Sequence, residues 1–590
     1  MRKCILIIFI CFGCSTMFSQ TTLKKDNAFA YKNFPQEKIF IHFNSTFLVS
    51  GENLFYKIYC LNANTNKLSN LSKIAYVELI NSDRNIVFKH KIILKSGLGK
   101  GDFLIKTSIP SGNYKLIAYT HWMRNEGESA FFQNDITIIN PFRANKKLTV
   151  KTSKHQNNIK SENDSVKVNN DIKISNNPTK NEFIEIQTNK HIFLKREKVV
   201  LNIKGIKDKF SYGNYSVSVK KVDSINTPSK LSSSSITSKN RFNTLSKSSV
   251  FFMPELRGDI LSGSVFIKET NTAVSNIKVS LSIPGENSIF KIATTNKSGL
   301  FYFNIDKEYK KPNAIIQIVD SKRDEYRLKL NNYELPNYDD FVFNDFKLTP
   351  KLKDLILKKS ILNQIENAYY SIKNDSIIPI NFTNPSYKYK EKEYFLSDYS
   401  RFKTLKETIT EVVDAAYVVQ KSDEYTFHIK FYNDTNKSDL LPLVLIDGVL
   451  IQNHNTVIDY NAKNIKSIGV VRDKYVYGGQ TFNGIISIKT LKGDYNNSFR
   501  EDAIKSFELD KPLVSKKYFK QEYNDDSKLN RIPDFRNQLL WHSNLKLSTA
   551  KNQITFYTSD NTGEYEICIE GFTNNGKPVT IKTYITVKSN

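Results

Sequence analysis

At 590 residues the chain is long enough for several domains. Its 39 Phe and 31 Tyr supply β-rich cores, and 22 Gly with 16 Pro are too few for a disordered polymer. A formal charge of +27 raises nucleic acid as a partner, but the lysines are dispersed instead of clustering beside aromatics that stack on bases, so nucleic acid is not expected.

The opening MRKCILIIFICFGCSTMFSQ places Arg2-Lys3 ahead of an apolar run from Cys4 to about Cys14, then small and polar residues to Ser19-Gln20. Residues 1–20 therefore read as an export signal. The run is well short of the roughly 18 residues that a membrane span needs, and no other stretch is long enough, so no transmembrane segment is expected in the mature chain. Gly13-Cys14 raises a lipoprotein processing site, but Cys11 stands where such sites carry an aliphatic residue. Cleavage near Ser19-Gln20 is the expectation. Cys60 and Cys568 then remain, enough for one bridge at most; each reads as a small apolar filler of a strand. The positive excess reads as solubility, with attraction to anionic glycan or lipopolysaccharide as the other reading.

Residues 34–142 show short strands separated by turns, the pattern of an antiparallel β-sandwich. The phrases GENLFYKIY (from Gly51) and SGNYKLIAYTHWM (from Ser111) resemble the macroglobulin-type sandwich of large exported Bacteroidetes proteins. His121 beside Trp122 reads as a packed strand end. Residues 143–180, rich in Lys, Asn and Ser, read as a polar linker. Residues 181–255 repeat the Gly-Asn-Tyr phrase at Gly213-Asn214-Tyr215, implying a second macroglobulin-like sandwich, with the Ser-rich run Lys230 to Ser249 as a long loop. In 256–330, Leu261 to Phe266, Asn276 to Leu281 and Thr294 to Phe303 alternate around an Asn-x-x-Gly turn. This segment resembles the carboxypeptidase regulatory-like domain, a non-catalytic sandwich. Residues 331–400 read as a connector, with a packing helix on Leu352, Leu355, Ile356, Leu357, Ile361, Leu362 and Ile365.

Between 401 and 495 the chain changes character. An apolar run, Leu443 to Ile446, stops at Asp447-Gly448, a dipeptide that turns a strand cheaply. A helix start capped by Asn461 comes next, then strands around Ile468-Val470 and Ile486 to Thr490, with a Tyr477-Gly478-Gly479 loop between them. Ile446-Asp447-Gly448, Ile465 to Val471, Tyr477-Gly478 and Asn483-Gly484-Ile485-Ile486 resemble the plug domain of TonB-dependent outer-membrane receptors. That resemblance makes Asp447, Gly448, Tyr477, Gly478, Asn483 and Gly484 the candidate motif, structural or docking in role. The residues after Gly493 are charged and irregular and lack the ten-residue alternating strands of a membrane barrel, so transport is not carried over. Residues 496–533 read as a connector. Residues 534–590 read as macroglobulin-like strands with a tight turn at Asn575-Gly576. The thioester sequence Gly-Cys-Gly-Glu-Gln of many macroglobulins is absent, so covalent protease trapping is not expected.

The histidines His42, His90, His121, His155, His191, His428, His454 and His542 form no pair at ligand spacing, and neither a His-Glu-x-x-His, a nucleophile elbow nor a phosphate loop occurs. No catalytic residue, metal ligand or cofactor-binding residue is singled out. The sequence thus implies a mainly β protein: a multidomain string of antiparallel β-sandwiches with one small α/β plug-like domain, exported to the periplasm, the outer membrane or the cell surface. Its expected role is non-catalytic binding or docking of outer-membrane or periplasmic proteins, a β-barrel in trans among them. A surface adhesin or glycan binder is the alternative. A hydrolase would need a carboxylate or histidine cluster in a cleft.

Overall fold

The computed structural model describes residues 34–143, 178–235 and 251–589, less short stretches at 224, 226–227, 286, 332–334, 345, 347, 381–384, 432–439, 496–501, 524–527 and 550. The leader at 1–20, most of the linker at 143–180 and most of the Ser-rich run lie outside the described residues. The rest is mainly β, in several antiparallel sheets. Among the described residues no helix is long and apolar enough to cross a membrane.

The first sandwich sets a sheet of Glu37–Phe43, Asn53–Asn62 and Leu98–Leu104 against one of Phe47–Val49, Phe132–Ile139, Gly112–Tyr119, Ile74–Asn81 and Ile86–Ile93. Tyr56 and Tyr114 are buried in its core, whereas Tyr59 turns to the second sandwich, bonding Ser216 Oγ at 2.9 Å, and Tyr119 lies on the outer face, bonding Glu78. Large aromatics on both faces of these strands let the sandwich bury its own core and also pack outward, each ring removing a large apolar area from water.

The second sandwich is assembled from two distant parts of the chain. The strand Gly213–Lys221 pairs antiparallel with Gly563–Thr573 on one side and with Gln538–Leu547 on the other. In the facing sheet, Lys198–Gly205 pairs with both Lys551–Tyr557 and Ile184–Thr188. Residues 181–255 and 534–590, expected as separate units, are halves of one sandwich with one core. The reason is pairing: neither half has enough strands to cover its own apolar face.

A second nesting lies inside the first. The third sandwich opposes Leu300–Ile305, Asp259–Ile267 and Tyr326–Leu330 to Ile289–Thr294, Lys278–Ile283 and Asn313–Val319. Its last strand is Ile504–Glu508, which pairs with Asn313–Val319. That strand comes from the stretch 496–533 expected to be a connector. Only Ile504 of its five residues is buried, so its alternation is too weak to read without its partner.

Between those parts sits a mixed sheet in the order Lys392–Phe395, Ile465–Val471, Ile485–Thr490, Leu443–Ile446 and Val449–Leu450. It starts before the expected boundary at 401. The helix Leu405–Glu411 covers it, opened by a capping box in which Thr404 and Glu407 exchange bonds. Asn461 caps as expected, accepting from Lys463 N at 3.0 Å, but it caps a single 3-10 turn, Ala462–Asn464, because the strand begins at Ile465.

The expected packing helix is Lys353–Ala368, and its buried face is not the apolar stripe alone. Leu352, Leu355 and Ile356 pack against Phe47 and Val49, whereas Leu357 and Ile361 are exposed. Lys359 and Asn363 are buried instead, because the seat beneath them is polar. Lys359 Nζ reaches Asp223 at 2.7 Å and Glu52 at 3.5 Å, and Asn363 Nδ2 donates to Ser50 O at 2.8 Å.

A chain ending at Pro533 lacks every partner of Gly213–Lys221. Amide exchange should lose protection over 213–221, which the intact chain protects on both edges; protection of 213–221 that survives truncation contradicts the nested topology.

Candidate docking site at the mixed sheet

The candidate motif residues are divided between two places. Asp447-Gly448 makes a two-residue hairpin, Ile446 lying opposite Val449, with φ of 49° and 85°. Both values are positive, which defines the tight turn that matches strand twist and explains the Asp-Gly choice. The Asp447 carboxylate is buried and accepts from Thr490 N at 2.8 Å, Thr490 Oγ1 at 2.5 Å and Tyr495 N at 3.0 Å. Three donors lock the turn to the end of the neighbouring strand. Gly478-Gly479 forms a second turn of the same kind, Tyr477 lying opposite Gln480, with φ of 57° and 69°.

Both turns press on one element of the third sandwich. A Cβ added at Gly448 would lie 2.1 Å from Ser288 Cβ, and one at Gly478 would lie 2.4 Å from Ile292 Cβ. Tyr477 donates its hydroxyl to Phe290 O at 2.9 Å and stacks on the Phe290 ring with centroids 5.9 Å apart. Gln317, buried in the sandwich, donates to Leu450 O at 2.9 Å, and Gln452 Nε2 donates to Gln317 Oε1 at 3.1 Å. Asn483 and Gly484 do not reach this seam. Asn483 N donates to Leu441 O at 3.0 Å, and Gly484 O accepts from Leu443 N at 3.0 Å, so both serve the sheet's own pairing.

The receiving residues Ser288, Phe290, Ile292 and Gln317 were missed by sequence reasoning. One signal existed: Gln317 interrupts the apolar run Ala314 to Val319, and a lone amide at such a position needs a partner across an interface.

Two clefts open along the seam. One, of 320 Å³, is bounded by the Asp447-Gly448 turn, Ser288, Asp306, Tyr387 and Lys388. Its wall carries a closed charge network: Glu393 accepts from Lys388 at 2.6 Å and from Lys489 and Ser467, both at 2.8 Å. Burial pushes the Glu393 carboxyl up, but these donors outweigh it and hold it at about 2. The second cleft, of 880 Å³, is wider and runs between Val319 to Asp324 of the sandwich and Tyr425, Leu440 to Pro442, Leu450 to Asn455 and Phe482 of the mixed-sheet unit. Leu440 and Leu441 are 44% and 38% exposed at its edge, enough to meet a partner. His454 stands in its wall, stacked on Phe427, with Nδ1 accepting from Phe427 N at 2.9 Å. Burial, with a smaller contribution from His428, lowers its imidazole to about 4.

Among the described residues no group of three or more His, Cys, Asp or Glu could hold a metal ion, and Cys60 and Cys568 are buried and unpaired. His121 is buried and stacked on Tyr76 with centroids 4.6 Å apart, facing the Glu255 carboxylate at 3.7 Å.

No protein-family model and no curated protein matches the chain. Among solved structures it is similar to the α2-macroglobulin of Salmonella reacted with methylamine, at 9% identity over 94% of this chain and 39% of that one, TM-score 0.23. The native form of Escherichia coli α2-macroglobulin gives 9% identity, 94% and 40% coverage and a TM-score of 0.24. The Escherichia coli adhesin FdeC gives 7% identity, 48% and 59% coverage and a TM-score of 0.14. The chain spans about two fifths of the macroglobulins' length. These superpositions score below those of chains sharing one fold.

Gly448→Ala and Gly478→Ala should each cost about 1–3 kcal/mol in denaturant unfolding and raise amide exchange at Phe290 and Ile292, since a Cβ collides there and φ is positive. Gly479→Ala meets nothing within 4 Å, and should cost only about 1 kcal/mol for its backbone conformation.

Acid should loosen the wide cleft. The His454 folded-state value lies below that of the unfolded chain, so its contribution is complete above about pH 6.5 and is lost as pH falls toward about 4. Protonated Nδ1 can no longer accept from Phe427 N. The protection factor at Phe427, corrected for the intrinsic pH dependence of exchange, should fall between about pH 6.5 and 4 in the wild type, and His454→Gln should flatten that dependence.

Proposed function

We propose that this chain is a non-catalytic, outer-membrane-associated envelope protein that docks a protein partner, a β-barrel of the outer membrane being the leading one. The export-type leader and the plug-like motif suggest the compartment. The observation that supports docking is the wide cleft, with Leu440 and Leu441 exposed at its edge and Tyr425 and Phe482 in its walls. The lining mixes these apolar groups with amides and with the charged Lys278, Asp320, Arg323, Asp324 and Glu424, so a partner there would meet an apolar strip flanked by charges of both signs.

Strand addition at the nearest sheet edge does not fit. Leu450 N already donates to Ser282 Oγ at 3.3 Å and Leu450 O accepts from Gln317, so the third sandwich occupies that edge. On the neighbouring hairpin, Tyr425 N and Phe427 N are capped by the Asn455 and His454 side chains. Docking therefore runs through side chains in the cleft.

The test is fractionation of the envelope of cells that make the protein, with a photo-crosslinking residue at Leu441 or, as a control, at exposed Phe210 of the second sandwich. The membrane fraction should give a discrete crosslinked product from 441 and none from 210, and Leu440→Asp with Leu441→Asp should cut the yield at least about tenfold, as expected when an interface centre is lost. A freely soluble pool with no product from 441 overturns the reading.

A further inference from the structure

The segment that enters the third sandwich, Pro254 to Asp259, lies against the outer face of the first one. Lys73 N donates to Glu255 O at 2.8 Å, and Tyr76 donates its hydroxyl to Glu255 Oε1 at 3.0 Å. Lys91 stands directly opposite Tyr76 on the neighbouring strand, so its side chain leaves the sheet on the same face. There its Nζ bonds Asp259 Oδ2 at 2.8 Å. The two residues are 168 positions apart and belong to different sandwiches.

Three features set this contact apart from a surface ion pair. The first is burial. Lys91 and Asp259 are 6% and 8% exposed and Glu255 is 0% exposed, so holding an ammonium and a carboxylate there costs desolvation that their attraction returns only in part. Asp510, 3.9 Å from Lys91 Nζ and 59% exposed, marks the solvent side of the contact. The second is a neutral acid. Burial, and then the Asp259 charge, push the Glu255 carboxyl well above its usual range, and Lys91, the Tyr76 hydroxyl and Ile260 N oppose this only partly. The third is an open oxygen. Glu255 Oε2 has no hydrogen-bond partner among the described residues, so a proton can come and go there without breaking a bond. His121 Nδ1 lies 3.7 Å from it, but burial and then Arg124 hold that imidazole well below its usual range, so it faces the acid uncharged.

We infer that Lys91 and Asp259 condense into an intramolecular amide, a covalent clasp between the first and third sandwiches, with Glu255 carrying the proton. The Lys91 ammonium first passes one proton to the Asp259 carboxylate. The free amine then attacks Asp259 Cγ and forms the C–N bond. Glu255 gives its proton to the departing oxygen and takes one from the attacking nitrogen, ending as it began. The C–O bond breaks and one water leaves. An ammonium and a carboxylate thus become an amide and a water, with no oxidant, reductant or cofactor. Groups held in contact reach effective molarities of roughly 10⁵–10⁸ M, which lets condensation compete with hydrolysis, and the amide removes both charges from the buried site. The clasp does not depend on the docking cleft, so either reading can fail alone.

The purified full chain would be digested with trypsin and analysed by mass spectrometry. Trypsin cannot cut after an amidated Lys91, so residues 90–95 should appear joined to residues 258–268, lighter than the two peptides together by one water. This branched peptide should account for most of the chain. Glu255→Gln should reduce it at least about tenfold, since a positioned general acid–base contributes roughly 10²–10⁴ in rate. Lys91→Arg keeps the charge but should give no branched peptide. Circular dichroism would confirm that both variants fold, and the wild-type digest decides even where they do not. Linear peptides alone from the folded wild-type chain overturn the inference, as does a branched peptide undiminished in folded Glu255→Gln.

Discussion

The strand Gly213–Lys221 is the constraint on which the rest of the molecule depends. It is flanked by Gln538–Leu547 and Gly563–Thr573, so the second sandwich cannot close until the chain has passed through two further units and returned. Closing a loop of about 300 flexible residues would cost several kcal/mol of entropy and would slow folding. The structure reduces that cost by bringing each insertion's ends together. Lys221 N donates to Asn537 O at 2.8 Å, and Leu328 N donates to Asp502 O at 3.1 Å. Each inserted unit therefore leaves and re-enters at neighbouring points, and a unit that folds first presents its host with a short loop.

Polar groups buried between units set how those units sit. Lys359 of the helix meets Asp223, just past the central strand, and Glu52 of the first sandwich, joining three separate chain segments at one ammonium group. Burial pulls that ammonium down, but the two carboxylates outweigh it and hold it above its usual range. Such a pair adds little net stability over an apolar substitute, yet removing one member leaves a buried charge alone. Arg536 is treated likewise: half-buried, and held by Asp534 and by the carbonyls of Leu539 and Tyr557. Apolar packing builds each sandwich, and these directional contacts select one arrangement among them.

At the docking seam the same division recurs on a smaller scale. Two glycine turns are fitted against Ser288 and Ile292, and the hydrogen bonds of Tyr477 and Gln317 fix the register between the units. The wide cleft opens beside these contacts, between the third sandwich and the mixed-sheet unit. Its wall places His454 where a backbone N–H needs its neutral form, which ties the geometry of the cleft to pH.

Much of this was legible in local patterns. Strand alternation, the Gly-Asn-Tyr phrases, the Asp-Gly and Gly-Gly turns and the Asn461 cap are short-range signals, because backbone sterics and side-chain periodicity act over a few residues. They determine a mainly β chain of several sandwiches with one mixed-sheet unit, and they identify Asp447, Gly448, Tyr477 and Gly478 as turn residues. Partnership between distant strands leaves no such trace. Tertiary structure alone decided that 181–255 and 534–590 share a sandwich, that Ile504–Glu508 belongs to the third one, and that Leu357 and Ile361 face solvent while Lys359 is buried. The reason is physical: an edge strand or a half-apolar helix has several faces that could be covered, and only the complete set of surfaces brought together by the folded chain determines which one is.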